Sequence, residues 1–390
     1  MIGRFLSFVK KKIIMPVVYY AAVLLPVKKN KVVFDNFSGR GYGCNPKYIA
    51  QALLEKKENL DFVWLVNDMS EEMPGGIRKV KYRSLRSAYE LATARVWIDN
   101  VRSSFRVKKK KSQYYIQTWH CSIGLKKSEK EVEDSLSKEY VRAAKRDGSI
   151  TDLMISNGAY RTKRYYDNFW YQGKVLECGF PRYDILVDPK AEVKTKLYQY
   201  FGIPENKKLV LYAPTFRNQT GTEKNSTDIY QFNYEKCCRE LEKKFGGEYV
   251  LLLRLHPNVA KRSSSFAYSD NVYNATYYPD MQELLAFSDV LITDYSSCMF
   301  DSMYAGHKVF LFAKDASEYA LNERTLLFTF EQLPCSLSMQ ESELYSEIRR
   351  FDEKSYRNTC KEFFKAFDMN EPGTASETVA KLVIQKIREA

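Results

Sequence analysis

The chain holds only three histidines, and two of them close strand-like apolar runs. His120 ends Tyr-Tyr-Ile-Gln-Thr-Trp-His, and His256 ends Tyr-Val-Leu-Leu-Leu-Arg-Leu-His. An imidazole that is neutral near pH 7 can take a proton from a hydroxyl. A lone histidine at a strand end is more often structural, but two at matching positions point to function. A third segment, Leu291-Ile-Thr-Asp-Tyr-Ser-Ser297, runs from a buried strand through Asp294 into a helix start. Backbone N–H groups and the hydroxyls of Ser296 and Ser297 would offer an anion site there, although an ordinary serine N-cap at Ser296 reads the same way. Asp301 lies one turn further on. Arg182, Arg217 and Arg254 each follow or end a strand-like run, and together they could grip a pyrophosphate by bidentate contacts. Together these types could hold a pyrophosphate-bearing donor through cations and a helix N-terminus.

Those residues need strands that end on one side. Strand candidates are 31–37, 62–66, 95–99, 114–118 and 153–156, then 209–213, 249–255, 290–293 and 309–312. Helical stretches fall at 46–56, 85–93, 131–145, 234–244, 281–287, 297–304 and 376–389, the last with Val379, Leu382, Val383 and Ile387 on one stripe. Near-continuous apolar strands alternating with helices predict parallel sheets covered on both faces, in an α/β chain with two Rossmann-like domains facing each other across a cleft. Segment 179–190 reads as the hinge. The expected division is 1–29, 30–185 and 186–390. In open parallel sheets ligands bind beyond the carboxyl ends of the strands, which is where both histidines fall.

With 390 residues the chain can bury two cores, and its formal charge of +13 favours a polyanionic partner. No nucleic-acid module accompanies that charge. The eight cysteines form no C-x-x-C pair and read as reduced thiols. No D-x-D spacing, Walker A loop or G-x-G-x-x-G is present, so neither a metal nor another cofactor is expected. At the N-terminus Lys10–Lys12 precede an apolar run, 13–27, that holds Pro16 and Pro26 and is followed by Lys28, Lys29 and Lys31. It is too short to span a bilayer and reads as a peripheral, interfacial segment on anionic lipid, against the plainer reading of a first helix packed on the protein itself. The lysines at 108–111, 126 and 127 would extend a basic surface.

Five motifs occur in one order: Gln117-Thr-Trp-His120, Gly179-Phe-Pro-Arg182, Ala213-Pro-Thr-Phe-Arg217, Arg254-Leu-His-Pro257 and Thr293-Asp-Tyr-Ser-Ser297. With Phe34-Asp-Asn-Phe-Ser-Gly39 and Asn45-Pro-Lys-Tyr48, they resemble the CDP-glycerol glycerophosphotransferase family of teichoic-acid primases and polymerases. The resemblance covers about residues 30–320. It implies a GT-B-like fold whose C-terminal domain holds a CDP-glycerol or CDP-ribitol donor. It further implies His120 as catalytic base, His256 as a second catalytic residue at the phosphate, and donor contacts around Trp119, Cys121, Ser122, Arg182, Pro214, Thr215, Arg217, Arg254, Ser296, Ser297 and Asp301. Where that family usually has Gly-Thr after Trp-His, this chain has Cys121 and Ser122, which narrows the loop. The implied acceptor is polyprenyl-diphosphate-linked, at the cytoplasmic face of a bacterial membrane. Two other readings stay open: a sialyltransferase-like GT-B glycosyltransferase of capsule synthesis, and a non-enzymatic membrane-surface binder of anionic polymer.

Overall fold

The computed structural model describes residues 17, 21–103, 108–217, 228–256, 266, 268–316, 318–319 and 325–389. Most of the expected membrane-associating segment, 1–29, therefore lies outside the described residues. The chain divides into two units. The first takes residues up to His120, 129–184 and 370–390, and the second takes 121–128 and 185–369.

In the first unit lie β1 (Lys28–Asp35), β2 (Asp61–Val66), β3 (Ile77–Lys81), β4 (Ala94–Asp99), β5 (Tyr114–Gln117), β6 (Leu153–Ser156) and β7 (Lys174–Glu177). They form one sheet in the order β3-β2-β1-β4-β5-β6-β7, and every pairing is parallel. β-branched and aromatic runs such as Phe62-Val-Trp-Leu-Val66 suit a strand packed on both faces. Parallel connections need crossovers, and helices Cys44–Glu55, Leu85–Thr93, Lys138–Ile150 and Ala159–Asn168 supply four of the six.

The second unit repeats the scheme with β8 (Lys208–Ala213), β9 (Tyr249–Leu253), β10 (Val272–Asn274), β11 (Val290–Thr293), β12 (Lys308–Phe312) and β13 (Leu337–Ser338). Their order is β10-β9-β8-β11-β12-β13, again all parallel. Its core gathers Tyr212, Leu251, Leu253, Ile292, Phe310 and Phe312 with Cys237 and Leu241 of helix Tyr234–Phe245.

Several expectations need correction. The last helix, Ala375–Arg388, was expected in the second domain but belongs to the first unit. Val379, Ala380 and Val383 are buried, and Asp184 caps its start by accepting from the N–H groups of Ala375 (3.0 Å) and Ser376 (2.8 Å). The chain leaves the first unit after Asp184, inside the segment read as a hinge, and returns at Asn370. The helix expected over 131–145 splits into a 3-10 stretch, Glu129–Ser135, and the helix Lys138–Ile150, with Ser137 capping the latter. The lysine run is only partly a surface: Lys109 pairs with Asp152, and Lys110 donates to the carbonyls of Leu25 and Ala92. All eight cysteines are free thiols.

The adjacent strands β1 and β4 both end in Asp-Asn, at Asp35-Asn36 and Asp99-Asn100, and all four side chains are buried. Burial pushes the Asp35 carboxyl up to about 7. It lifts Asp99 well above the ordinary range, with the charge of Asp35 adding to the effect. The folded state thus holds protons that the unfolded chain releases above its value of 3.8. That contribution to stability is full below 3.8 and is lost as pH rises through about 7. Asp99→Asn keeps an oxygen to accept from Val101 N–H and removes the charge. Its melting temperature should therefore fall less than the parent's between about pH 5 and about pH 8. Thermal melts across that range check this, and parallel curves would mean the pair is not protonated.

Candidate active site

His120 sits three residues past the end of β5, beyond the carboxyl edge of the first sheet. Its Nδ1 lies 2.7 Å from the carbonyl oxygen of Asn100. A carbonyl only accepts, so Nδ1 carries the proton and Nε2 keeps its lone pair. Burial, with help from Arg182 and Arg161, lowers the imidazole to about 4 against the opposing bond to Asn100. The ring is neutral at physiological pH, the state a base requires.

Two aromatic rings hold the imidazole. Phe37 meets it edge-on at 5.1 Å, and Trp119 lies at 4.5 Å. Trp119 is a buried residue with φ of +54°, a costly left-handed conformation for a bulky side chain. It persists because its N–H donates to Gln117 Oε1 (2.9 Å) and its carbonyl accepts from Asn45 Nδ2 (2.9 Å). Its ring packs against Phe169 and under the guanidinium of Arg102. Expected as a substrate contact, Trp119 instead supports the histidine from within the core.

Arg182 was expected among three arginines on a pyrophosphate. It lies in the first unit, where its Nη1 donates to the carbonyl of His120 at 2.5 Å and its N–H donates to Asn45 Oδ1 at 2.9 Å. Its motif is pinned from the C-terminal return. Glu371 accepts from Phe180 N–H (2.6 Å) and from Asn157 Nδ2 (2.8 Å). Gly179 has φ of +83°, and a Cβ there would meet Pro372 Cδ at 2.7 Å and Glu371 Oε2 at 2.8 Å. Only glycine fits. Burial raises the Glu371 carboxyl well above its usual range.

In the second unit the edge is organised by Asp294, just past β11 and 1% exposed. Its carboxylate accepts from the N–H groups of Thr215 (2.8 Å) and Tyr295 (2.6 Å) and pairs with Arg217 (2.8 Å). Arg217 is also paired with Asp315 at 2.7 Å and lies over the ring of Tyr295, which stacks on Tyr319 at 3.6 Å. Burial pulls the Arg217 pKa down, but Asp294 and Asp315 outweigh it and hold it above its ordinary value. With two carboxylates already on it, Arg217 is a tie between loops rather than a spare cation. Arg254 is part-buried and donates to the carbonyls of Ala275 (3.1 Å) and Tyr278 (2.6 Å). Burial depresses its pKa, against the pull of Asp280. His256 lies three residues past β9, its ring parallel to Phe216 at 5.7 Å.

Helix Cys298–Tyr304 starts at Ser297, which makes no side-chain cap; Ser296 Oγ instead accepts from Cys298 N–H at 3.4 Å. Both serines are half-buried and available at the edge. Thr215 joins them: its Oγ1 is buried and makes no hydrogen bond among the described residues. Pro214 and Asp301 are buried. Cys121 is half-buried and Ser122 buried; both belong to the second unit, in a segment zipped to it by Lys127 N–H to Thr325 (3.0 Å) and Leu327 N–H to Leu125 (2.8 Å).

Each unit therefore brings its own set together: His120, Trp119 and Arg182 in the first, and Thr215, Arg217, Ser296 and Ser297 around Asp294 in the second. The sequence reading missed the side chains that hold these sets: Asn36, Asn45, Asn100, Asn157, Asp315 and Glu371. Among the described residues no group of three or more His, Cys, Asp and Glu side chains gathers as a metal site.

Comparison with known proteins bears on this geometry directly. The chain is 30% identical over 375 residues to the teichoic acid poly(glycerol phosphate) polymerase of Staphylococcus epidermidis, covering 93% of this chain and 52% of that protein. It is 28% identical to the enzyme of the same name from Bacillus spizizenii, covering 94% of each. It thus spans about half the length of the first relative and nearly all of the second. Among solved structures, the wall teichoic acid polymerase TagF, in a variant soaked with CDPG, superposes with a TM-score of 0.84 at 28% identity, covering 100% of this chain and 98% of that one. The profile of CDP-Glycerol:Poly(glycerophosphate) glycerophosphotransferase matches residues 17–385, and the chain belongs to that family.

Proposed function

We propose that this protein transfers glycerol phosphate, or a related polyol phosphate, from CDP-glycerol to a membrane-linked teichoic acid or capsular polymer, releasing CMP. The observation that carries the reading is the state of His120: neutral, Nδ1 committed to Asn100, Nε2 left as an acceptor beyond a sheet's carboxyl edge. Nε2 takes the proton of the acceptor hydroxyl as that oxygen attacks phosphorus in line. CMP leaves with the bonding electron pair. The second unit holds the donor through Thr215, Ser296, Ser297 and Arg254 with His256 at the phosphate, while Arg217 and Asp294 fix the loops that carry them. Arg182 acts through the His120 carbonyl and not on the donor.

The acceptor is a polyprenyl-diphosphate-linked chain at the cytoplasmic face of a bacterial membrane, to which the protein attaches peripherally. Support comes from the charge of +13 and from Leu24 and Leu25, both exposed, next to exposed Lys28 and Lys29. Among the described residues no helix is long and apolar enough to cross a membrane. Replacing Leu24 and Leu25 with Ser should weaken sedimentation with anionic vesicles by roughly 100-fold or more, since two leucines buried in lipid are each worth about 1.5–3 kcal/mol. Binding that is unchanged would move the contact elsewhere.

The activity is tested by incubating the protein with CDP-glycerol, CDP-ribitol or CMP-sugars and an acceptor, then following CMP and the product's mass. A phosphodiester product supports the reading, a glycosidic one overturns it, and no CMP from any donor would favour a non-catalytic binder. His120→Ala should lower turnover by roughly 10²–10⁴-fold with donor affinity little changed, whereas His256→Ala should damage donor binding as well. The acid limb of kcat/KM should lie near pH 4, well below the 6.5 of an ordinary histidine. A limb near 6.5, or full turnover in His120→Ala, would assign the base to another group.

Thr215→Val separates binding from folding. The hydroxyl has no partner among the described residues, so losing it should leave the melting temperature level or raised. Donor KM should rise roughly 5–30-fold, the worth of about 1–2 kcal/mol in one hydrogen bond. An unchanged KM would take Thr215 out of the donor site.

A further inference from the structure

Three chain segments converge on the His120 imidazole, and a pair of asparagines ties two of them together. Asn100 supplies the carbonyl that accepts from Nδ1 (2.7 Å), and Phe37 supplies the ring that meets the imidazole edge-on. Asn100 Nδ2 donates to Asn36 Oδ1 at 2.7 Å, and Asn100 Oδ1 accepts from Phe37 N–H at 2.8 Å. Asn36 Nδ2 in turn donates to the carbonyls of Arg40 (2.8 Å) and Gly41 (3.2 Å). Both asparagines are buried, and both follow an aspartate at the end of neighbouring strands.

The loop they hold is strained. Phe37, Ser38 and Gly39 run consecutively through positive φ, at +46°, +60° and +81°. Two non-glycine residues in that region are strained by their side chains. The loop does not relax because its polar groups are taken: Asn36 holds the carbonyls beyond it, Asn100 holds Phe37 N–H, and Asp35 Oδ1 accepts from Gly39 N–H at 2.7 Å. Strain held this firmly beside a reactive group is a mark of positioning.

We propose that Asn36 and Asn100 are positioning residues that fix His120 as the Nδ1-protonated tautomer and aim its Nε2 lone pair at the substrate. The inference rests on His120 being the base. Asn100 acts through its main-chain carbonyl, whose direction its own side chain sets by bonding Asn36 and Phe37. Asn36 acts one step further out, through Asn100 and the Phe37 loop. Neither side chain touches the reacting atoms. With the pair intact, Nε2 can only accept; with it broken, the ring can turn or take the other tautomer, and the lone pair no longer faces the hydroxyl.

Nitrogen-15 spectra of histidine-labelled full-length protein report the tautomer without any turnover. There are only three histidines, so the His120 signals are identified by their loss in His120→Asn. The parent should show a protonated Nδ1 and an unprotonated Nε2 on His120. The opposite pattern in the folded parent protein overturns the proposal, whatever the variants do. Asn36→Ala and Asn100→Ala should each mix the tautomers and lower kcat by up to roughly 100-fold, the scale of a misplaced catalytic group, with donor KM nearly constant. The double variant should lose little more than either single one, because the two act as one pair. A folded variant that keeps the parent's tautomer and turnover sinks the proposal. If Asn100→Ala does not fold, Asn36→Ser, which keeps a small polar group, carries the same measurements. His120→Ala with full turnover would instead sink the reading of His120 as base, a separate outcome from failure of the asparagine pair.

Discussion

In an all-parallel sheet every strand ends at the same edge, and both units of this protein are built under that constraint. The edge is where the backbone leaves the ladder, so its N–H and C=O groups need new partners. It is also where chemistry gathers, because loops from neighbouring strands meet there. The first unit satisfies its edge with amides: Asn36, Asn45, Asn100 and Gln117 each bridge two segments. The second uses a carboxylate, Asp294, which gathers two backbone N–H groups and a guanidinium.

The difference in chemistry follows from what each edge must do. A carboxylate on Nδ1 would raise the imidazole's pKa and favour its charged form. The Asn100 carbonyl on Nδ1 also pulls the imidazole up, but burial outweighs it and keeps His120 uncharged. The second unit's edge is arranged differently. Arg217 is balanced by Asp294 and Asp315, so the loops are tied together by internal ion pairs.

Much of the fold was legible because interior strands of a parallel sheet are apolar throughout. β1, β2, β4, β5, β6, β8, β9, β11 and β12 all correspond to runs recognised as strands. The four that escaped, β3, β7, β10 and β13, are the two edges of each sheet. An edge strand packs on one neighbour only, so sequences such as Ile77-Arg-Lys-Val-Lys81 and Lys174-Val-Leu-Glu177 carry charges and no continuous apolar signal. Their existence is decided by the strand beside them. The last helix was legible as a helix, from the stripe that buries Val379 and Val383, but not as a part of the first unit.

The site divides along the same line. Residue type and strand-end position were enough to single out His120, His256 and the two serines, because local sequence puts them at an edge, whereas Thr215 came only with the family resemblance. The sequence by itself also determined the parallel α/β class, through hydrophobic runs whose period is local. What each polar side chain faces was not local. Arg182 reaches the His120 carbonyl across 62 positions, Glu371 reaches Phe180 across 191, and Asn100 reaches Asn36 across 64. Trp119 and Arg217 find their internal partners by the same kind of distant pairing. Only the tertiary structure decides such partners, because a buried hydrogen bond is selected by direction and distance in space, and nothing in the spacing of the two residues along the chain encodes either.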